Sequence, residues 1–430
     1  MTGPGAQAWG LAVAEPDVAE RQGLRSAAVR RLPAFAHRRF RAYSLGVLLS
    51  FGGNFMFSVA SAWLVYELAN PPLNRAVMLG VLGFSRTIPM FAFVLIAGVV
   101  ADRVGSRRML LITNGLCAAI AGGFALLAFA GLLNVWIVLA AAFLMGTALA
   151  FNRPSHLTVI RELVGSSEIH NGVALMSLIQ DLMRILAPLA AGVLLGLGGG
   201  GVVLAIVAAS YAVMAALLCT IRVDHIPIEQ ANLFSSLREV FAHIRSAPLL
   251  RALILLETLP GFFALPFGAF LPIFAGSIYG RGAAGLGVMQ SMAGVGALAG
   301  ALLLVLLSGF RRRGLLLLSA IASFGAALVV FSLAHSWLLA LIMLTVAAGS
   351  DSLYIVTING LVLTMAPEQL RGRVMSVFTL ADSGMSPLGS VAIGLFAGLV
   401  GAPAALATSG GAVVASVAGI AARFPRLRRV

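Results

Sequence analysis

Six ionisable side chains lie well inside long apolar stretches of the sequence, where they are candidates for binding or proton transfer. They are Arg86, Asp181, Arg184, Glu257, Asp351 and Asp382. A charged side chain at the centre of a bilayer costs about 2.5–3.5 kcal/mol, so it faces the protein interior or a water-filled cavity. Two cations and four acids give this set a net formal charge of −2, although the whole chain carries +14.

The acids have the chemistry that a proton carrier needs. Glu257, Asp351 and Asp382 have no basic residue close to them in sequence, and an apolar interior favours the neutral form of an isolated carboxyl group. We predict proton-coupling sites at these three residues and at Asp181, with Asp351 first because it lies most centrally in its span, and Glu257 second. Asp382 lies near one end of its span and is also a candidate gate residue. Alternatively, the carboxyl groups face a water-filled vestibule or pair with Arg86 across the bundle.

The buried arginines each allow two interpretations. Asp181 and Arg184 are three residues apart and share one face of a helix, so they form either a structural ion pair or a cavity site at which a substrate or proton replaces the partner. Arg86 keeps its charge at any physiological pH, so it is either a partner for Asp181 or an anchor for an anionic substrate.

The elements that position these residues are membrane helices. Of the 430 residues, 60% are hydrophobic and 10% are charged, against about 45–50% and about 25% in soluble domains, which excludes a soluble enzyme and a disordered chain. A helix that crosses a bilayer needs about 20 apolar residues, and continuous runs of that length exclude a β-barrel. Twelve such stretches are present, at roughly 43–69, 76–101, 109–131, 135–158, 171–197, 200–221, 250–278, 284–308, 315–334, 337–364, 375–400 and 403–422.

The basic residues predict an orientation for these spans. All 29 are arginine, and 23 of them lie in the termini or in loops on one face, whereas the opposite loops hold only Arg75 and Arg281. Cytoplasmic loops are enriched in basic residues, so we predict a multi-pass protein of the bacterial inner membrane with both termini in the cytoplasm. The high net charge therefore indicates membrane orientation and not nucleic-acid binding.

The longest internal polar segment divides the spans into six and six. We predict an all-α membrane protein whose segments are a cytoplasmic N-terminal segment 1–41, a six-helix bundle 42–222, a linker 223–249, a second six-helix bundle 250–422 and a cytoplasmic tail 423–430. Apolar residues at helical spacing in the linker predict an amphipathic surface helix at Asn232–Ser246. The pairs Met176-Ser177 and Pro188-Leu189 recur 199 residues later, in agreement with an internal repeat of a kind that transporters use.

The loop between the second and third spans carries the most specific motif. It has the sequence Gly98-Val-Val-Ala-Asp102-Arg103-Val-Gly105-Ser-Arg107-Arg108, which resembles the signature loop of the major facilitator superfamily. Further segments resemble the bacterial drug and siderophore exporters of that superfamily, its enterobactin-exporter and macrolide-efflux branch; these are 38–52, 63–68, 85–89, 152–164 and 371–389. The resemblance implies the major facilitator fold, in which this loop gates the inward–outward change. The implied gating residues are Gly98, Asp102, Arg103, Gly105, Arg107 and Arg108.

In this superfamily the first and seventh spans line the central cavity, so the resemblance also implies a substrate cavity. Its candidate residues are Asn54, Phe55, Arg86, Gln180, Arg184, Gln290 and Tyr354. We expect a monomeric secondary transporter, not an enzyme, that exports an amphipathic small molecule (a drug, an antibiotic or a siderophore-like metabolite) by alternating access. Protons are the expected coupling ion and membrane lipids the expected surroundings. No cofactor, metal or nucleic-acid partner is predicted.

Two departures from the exporter pattern keep other functions open. Asn54 stands where the relatives commonly carry an acid, and the fourth span lacks the central arginine of many drug–proton antiporters. An uncoupled facilitator or importer is therefore the first alternative to proton antiport. A lipid-handling protein or a non-transporting membrane scaffold is the second.

Overall fold

Helices make up nearly all of the structure, a computed structural model that describes residues 34, 37–70, 74–221, 247–307, 309–310, 312–368 and 370–429. Within these residues eleven helices are long and apolar enough to cross a membrane, and no strand is present. The predicted amphipathic helix Asn232–Ser246 lies outside the described residues, as do residues 1–33 of the N-terminal segment.

Four helices form the N-terminal half. They are α1, Arg38–Leu68; α2, Arg75–Val104; α3, Ser106–Phe129; and α4, Val135–Thr220. Local sequence explains where two of them begin. The side chain of Asn134 caps α4, because its Oδ1 accepts a hydrogen bond from the backbone N–H of Ile137 at 2.9 Å. Gly105 separates α2 from α3 with a φ of 89°, a left-handed conformation that favours glycine.

Two glycines break α4 into three arms. Gly165 and Gly199 have non-helical backbone angles, and we call the arms α4a (Val135–Gly165), α4b (168–198) and α4c (200–220). The stretch Glu168–Thr220 counts as one of the eleven candidate spans, with 53 residues. One straight helix of that length would reach about 80 Å, far more than the bilayer core of about 30 Å.

Contacts with α1 show that α4b and α4c run in opposite directions. Met183 of α4b lies beside Gly52 of α1, and Asn171, near the start of the same arm, accepts a hydrogen bond from the backbone N–H of Ala34, just before α1, at 3.4 Å. The start of α4c, at Gly200, instead lies beside Leu64 near the end of α1. The arm α4b is therefore parallel to α1, and α4c is antiparallel to it.

The C-terminal half contains seven further helices and two short turns. They are α5, Pro248–Phe263; α6, Phe267–Ile273; a π-helical turn, Phe274–Ile278; α7, Gly282–Leu306; α8, Arg313–Leu333; α9, Trp337–Met365; α10, Arg371–Val400; α11, Ala402–Arg423; and a 3-10 turn, Pro425–Arg429. The seventh predicted span, at 250–278, is interrupted between α5 and α6. Pro266 lies at this interruption. Because proline has no backbone N–H, it cannot continue the hydrogen bonding of α5.

The spans reverse direction at each loop and at the two glycine breaks of α4, and α5, α6 and the π-helical turn form a single span, so the described loops lie on two faces of the molecule. We call the face with the start of α1 and the end of α11 the terminal face. The opposite face carries the loops after α1, α3, α8 and α10, and we call it the far face.

The two halves meet mainly through two helix pairs, α2 with α10 and α4b with α7. Glycines allow both close crossings. Gly80 lies against Ser390 and Gly394 of α10, and Gly192 lies against Gly287 of α7. A Cβ atom at any of these glycines would collide with backbone atoms of the other half, so these positions set how closely the halves approach.

The halves are joined towards the far face. There the hydroxyl oxygens of Tyr66 and Ser277 lie 2.8 Å apart, and the side chain of Asn74 donates to the carbonyl oxygen of Gly398 at 3.2 Å. The hydrophobic core follows the same pattern, since one buried cluster contains residues of both halves. Towards the terminal face, each half has a cluster of its own among the described residues. The described halves therefore separate as they approach the terminal face.

Candidate functional site

A cavity of about 320 Å³ lies within the N-terminal half, between α1, α2 and the three arms of α4. We call it the amino-half cavity. Its polar lining residues are Ser50, Asn54, Arg86, Asn152, His156, Ser177, Gln180 and Tyr211. Three of the predicted substrate residues, Asn54, Arg86 and Gln180, therefore share one cavity although they come from three helical segments.

Arg86 lies on α2 and is held towards α1. Its contacts include a hydrogen bond that Nη2 donates to Oδ1 of Asn54 at 2.9 Å. Beside it, α2 approaches α4a so closely that a Cβ atom on Gly146 would overlap the carbonyl oxygen of Arg86. The neutral amide of Asn54 thus helps to orient the guanidinium group.

A chain of hydrogen bonds that the sequence analysis did not identify runs along the cavity wall. Tyr43 Oη lies 2.6 Å from Nδ1 of His156, and Nε2 of His156 lies 2.6 Å from Oδ1 of Asn152. Asn152 Nδ2 donates to Oγ1 of Thr113 at 2.9 Å, and that hydroxyl group donates to carbonyl oxygens of α3. Because the amide oxygen of Asn152 can only accept, Nε2 of His156 carries a proton, and in the neutral ring Nδ1 accepts from Tyr43.

The sequence did contain a signal for this series of hydrogen bonds. Asn152 and His156 are four residues apart near the end of the predicted span 135–158, so they lie on the same face of the helix. A single histidine paired with an amide has no metal-binding spacing, so His156 was not among the residues predicted from the sequence.

Tyr211 of α4c places a second buried hydroxyl group at the amino-half cavity. Its side chain is 1% exposed, and its Oη has no hydrogen-bond partner among the described residues. The ring packs against the backbone of α1 at Gly53, next to Asn54. A buried donor without an acceptor costs about 1–3 kcal/mol, so this hydroxyl group is available to a bound molecule.

A second cavity, of about 280 Å³, lies between the two halves, and we call it the interface cavity. Phe55 of α1 and Arg184 of α4b line it from the N-terminal half. Gln290 of α7 and Asp351 of α9 line it from the C-terminal half. Four predicted site residues from four helices thus meet in one cavity, which has charges of both signs in its wall.

The other predicted residues are not brought to these two cavities by the described part of the chain. Tyr354 is fully buried in the core of the C-terminal half, and Glu257 is 1% exposed on α5. Asp181 lies on α4b and forms no salt bridge with Arg184 among the described residues. The side chain of Asp382 lies outside the described residues.

The predicted gating loop, between α2 and α3, is a tight turn at Gly105. Arg107 donates from Nε to the carbonyl oxygen of Leu218 at 2.9 Å and from Nη2 to that of Cys219 at 3.0 Å. It thereby satisfies carbonyl groups at the end of α4c, which have no partner within the helix. Two other predicted gating residues are exposed, Arg103 and Arg108. The side-chain surroundings of two more lie outside the described residues, namely Gly98 and Asp102.

The polar groups of both cavities suit binding better than covalent chemistry. Among the described residues no group of three His, Cys, Asp or Glu side chains could hold a metal ion. The cysteines Cys117 and Cys219 are both free, one buried and one exposed. What the cavities supply is a set of hydrogen-bond donors, two arginines and one aspartate, which is an arrangement for holding and releasing a small molecule.

Known proteins resemble this chain along most of its length. The family model for transmembrane secretion effectors, MFS_3, matches residues 30–429. Macrolide efflux protein A of Streptococcus pyogenes is 24% identical over 75% of this chain and 81% of its own length. The enterobactin exporter EntS of Citrobacter koseri is 27% identical over 75% of this chain and 77% of its own length. The staphyloferrin A transporter of Staphylococcus aureus is 24% identical over 82% of this chain and 88% of its own length.

Solved structures share the fold at lower sequence identity. A bacterial homologue of the human lysosomal transporter Spinster, in an inward-facing and unoccupied conformation, has a TM-score of 0.66 at 18% identity, covering 91% of this chain and 96% of that one. A D-xylose–proton symporter has a TM-score of 0.69 at 14% identity, covering 89% of this chain and 96% of that one. At these identities the structures establish the fold alone. The family match and the curated relatives confirm the resemblance drawn from the sequence motifs.

Proposed function

The chain belongs to the transmembrane secretion effector family of the major facilitator superfamily, and we propose that it exports an amphipathic small molecule by alternating access. It is a multi-pass membrane transporter. The similar proteins are named for efflux of macrolides, for export of enterobactin and for transport of staphyloferrin A. Those names support export as the direction of transport.

We place the terminal face in the cytoplasm and count twelve crossings in two six-helix bundles. Eleven helices qualify by length and composition, and the break at Gly199 adds one crossing by dividing Glu168–Thr220 into two antiparallel arms. The orientation is supported by the arginines, since the termini and the loops of the terminal face carry 23 of the 29, and cytoplasmic loops are enriched in basic residues.

With that orientation, the halves are joined on the outside and separate towards the cytoplasm. The joint consists of the glycine crossings of α2 with α10 and of α4b with α7. The interface cavity lies beside the second crossing, because Pro188 of α4b belongs to both. Rocking of the halves about this joint would expose the interface cavity to the outside, which is the movement that alternating access requires.

The observation that carries the proposal is that Arg184 and Asp351 line the same interface cavity from opposite halves. Because these two charged groups share one cavity, binding of a substrate changes the electrostatic potential at Asp351. Protonation of Asp351 in turn changes the potential at the bound substrate. We propose that Asp351 takes up a proton from the outside and releases it to the cytoplasm in each export cycle. The inward movement of one charge supplies about 2.3 kcal/mol per 100 mV of membrane potential.

Proton coupling is tested by efflux from proteoliposomes with and without an imposed pH gradient. We expect the gradient to accelerate efflux by the unchanged protein. Asp351→Asn should remove this acceleration and leave downhill efflux in place, because an amide cannot carry the proton. Glu368→Gln is the matched control, since Glu368 is an exposed carboxyl group in the loop before α10, and it should keep the full gradient dependence.

The outcomes distinguish two claims, that Asp351 is the coupling site and that transport is proton antiport. Wild-type acceleration in Asp351→Asn would reject Asp351 as the coupling site while leaving antiport in place. Equal loss of acceleration in Glu368→Gln would show that the effect is not specific to the cavity.

One observation favours a second candidate function, an uncoupled facilitator. One residue that holds Arg86 is the neutral Asn54, so at this position the N-terminal half has an amide where an acid would offer another protonation site. A facilitator predicts efflux by the unchanged protein that is insensitive to the pH gradient, and that result would establish it over antiport.

A further inference from the structure

We propose that the amino-half cavity binds the anionic head group of an amphipathic molecule. This inference rests on the proposed export function and names the substrate class. It assigns the head group to the amino-half cavity and the apolar body to the neighbouring interface cavity.

The charge of the cavity wall is the first argument. Arg86 is the only formally charged side chain among the described residues that line the amino-half cavity, and no carboxylate is among them. A guanidinium group offers several N–H donors in one plane and binds a carboxylate or phosphate with two parallel hydrogen bonds. The bond that its Nη2 donates to Asn54 is one of the contacts that orient this group at the cavity.

The buried hydroxyl group of Tyr211 is an independent argument. It lies in the same wall, it is 1% exposed, and it has no acceptor among the described residues. Burial of an unsatisfied donor is unfavourable, and a ligand that supplies an acceptor removes that penalty. Arg86 and Tyr211 together therefore favour a head group that is rich in acceptor oxygens and negatively charged.

The size of the cavity limits how much of a molecule it can hold. At about 320 Å³ it is at the lower end of small-molecule sites, which are about 300–1,000 Å³. It therefore accommodates a ring-sized head group and not a large macrocycle.

The neighbouring interface cavity defines the rest of the molecule in this proposal. Asn54 and Phe55 are neighbours on α1, and Gln180 and Arg184 are one turn apart on α4b, yet the first of each pair lines the amino-half cavity and the second lines the interface cavity. The two cavities therefore adjoin along two helices. The interface cavity adds the apolar side chains of Phe55, Phe267 and Leu271, which suit an apolar body attached to the head group.

The test is equilibrium binding of three matched probes to the purified full-length protein at neutral pH. They are 4-butylbenzoate, 4-butylbenzamide and 4-butylbenzylamine, which are similar in size and differ in being anionic, neutral and cationic. We expect the anion to bind about tenfold tighter than the amide, in line with a charge-assisted hydrogen bond, and the cation to bind most weakly.

Substitutions test which residues cause the preference for the anionic probe. Arg86→Gln should abolish the preference for the anion, Arg86→Lys should retain part of it, and Tyr211→Phe should weaken binding of the anion by a few-fold. Arg313→Gln removes an exposed arginine at the start of α8 and should bind all three probes as the unchanged protein does. If Arg86→Gln fails to fold, as judged by gel filtration and thermal melting, Arg86→Lys and Tyr211→Phe still carry the test.

The result that would overturn the assignment is equal or tighter binding of the amide or amine, or a preference for the anion that survives in Arg86→Gln. Absence of measurable binding for all three probes would overturn it as well. Efflux of the benzoate from proteoliposomes is measured separately. Preferential binding without efflux contradicts the export proposal and leaves the site assigned, whereas efflux without preference for the anion contradicts the site alone.

Discussion

The two halves of the molecule hold their buried polar groups in different ways. In the N-terminal half, Arg86 and His156 line a cavity and are hydrogen-bonded to Asn54 and Tyr43 of α1. In the C-terminal half, Glu257 is 1% exposed within the core, and the ring of Tyr354 stacks on Phe324 with centroids 6.2 Å apart. The N-terminal half thus places these polar groups at a cavity, whereas Glu257 and Tyr354 of the C-terminal half are buried and line neither the amino-half cavity nor the interface cavity.

This difference suggests that the halves have different roles in the proposed cycle. The N-terminal half supplies a cavity with a cation and a buried hydroxyl donor, which suits recognition of a head group. The C-terminal half contributes Asp351 at the boundary between the halves, where proton uptake can respond to rocking. A transporter with this division recognises its substrate with one half and takes up its proton with the other.

The largest effect is expected from a change that prevents the halves from meeting. In Gly287→Leu the new side chain would meet the carbonyl oxygen of Pro188 at 2.5 Å and the Cα of Gly192 at 3.0 Å, measured from Cβ. Overpacking costs about 1–3 kcal/mol, and we expect efflux to fall about tenfold or more. Gly123→Leu is the control, because a Cβ atom at Gly123 has no neighbour within 4 Å. Similar efflux by both variants would show that the crossing of α4b with α7 is not the joint.

A smaller effect is expected when the charge of the N-terminal half is cancelled. Asn54→Asp places a carboxylate beside the guanidinium group of Arg86, which it already contacts at 2.9 Å. Affinity for an anionic probe should fall about tenfold, since the cavity then supplies its own anion. Asn54→Ala removes the hydrogen bond without adding charge, so it should lower the affinity for the anionic probe by a smaller factor. If Asn54→Asp binds the anion as well as the unchanged protein, the contrast in charge between the halves has no role in recognition.

Two tyrosines of the N-terminal half should respond differently to loss of the hydroxyl group. Tyr43→Phe leaves Nδ1 of His156 without its hydrogen bond, which should lower the free energy of unfolding by about 1–3 kcal/mol. Tyr211→Phe removes a hydroxyl group that has no partner among the described residues, so the ligand-free protein should be unchanged or slightly more stable. Unfolding of both variants in detergent provides the comparison. Equal destabilisation would mean that the His156 chain contributes no more than ordinary packing.

The smallest effect is expected from one hydrogen bond between the halves. Ser291 of α7 donates to the carbonyl oxygen of Ile185 of α4b at 2.6 Å. Ser291→Ala should weaken the joined state by about 0.5–1.5 kcal/mol, seen as a broader distance distribution between spin labels at Leu132 and His335 on the far face. Ser319→Ala removes a similar bond within α8 alone and should leave the distribution unchanged. If the distance distribution broadens equally in Ser319→Ala, the effect reflects a general loss of stability and not the hydrogen bond between the halves.

The sequence predicted the helices well where apolar runs end at glycine, proline or polar residues. The predicted span 337–364 corresponds to α9, Trp337–Met365, and 284–308 to α7, Gly282–Leu306. The predicted span 250–278 corresponds to one candidate span, Pro248–Ile278. The sequence could not show whether its helix kinks or is interrupted at Pro266, because packing decides which of the two a proline causes. Glu168–Thr220 remains one candidate span in the structure although two were predicted there.

The candidate site was predicted by residue type but not by grouping. Arg86 and Arg184 were both expected at one central cavity, yet they line two different cavities. Spacing along one helix also suggested that Asp181 pairs with Arg184, and that salt bridge is not formed among the described residues. Helical periodicity shows which residues share a face but not which neighbouring helix that face meets, so the grouping of side chains needs the packed structure.

The most direct test of the division between the halves measures binding and proton coupling in the same two variants. Arg86→Gln and Asp351→Asn are compared with the unchanged protein for affinity towards the benzoate probe and for acceleration of its efflux by a pH gradient. The account predicts that Arg86→Gln loses affinity while its remaining efflux is still accelerated, and that Asp351→Asn keeps affinity while acceleration disappears. Loss of both properties in both variants would contradict a division of recognition and coupling between the two halves.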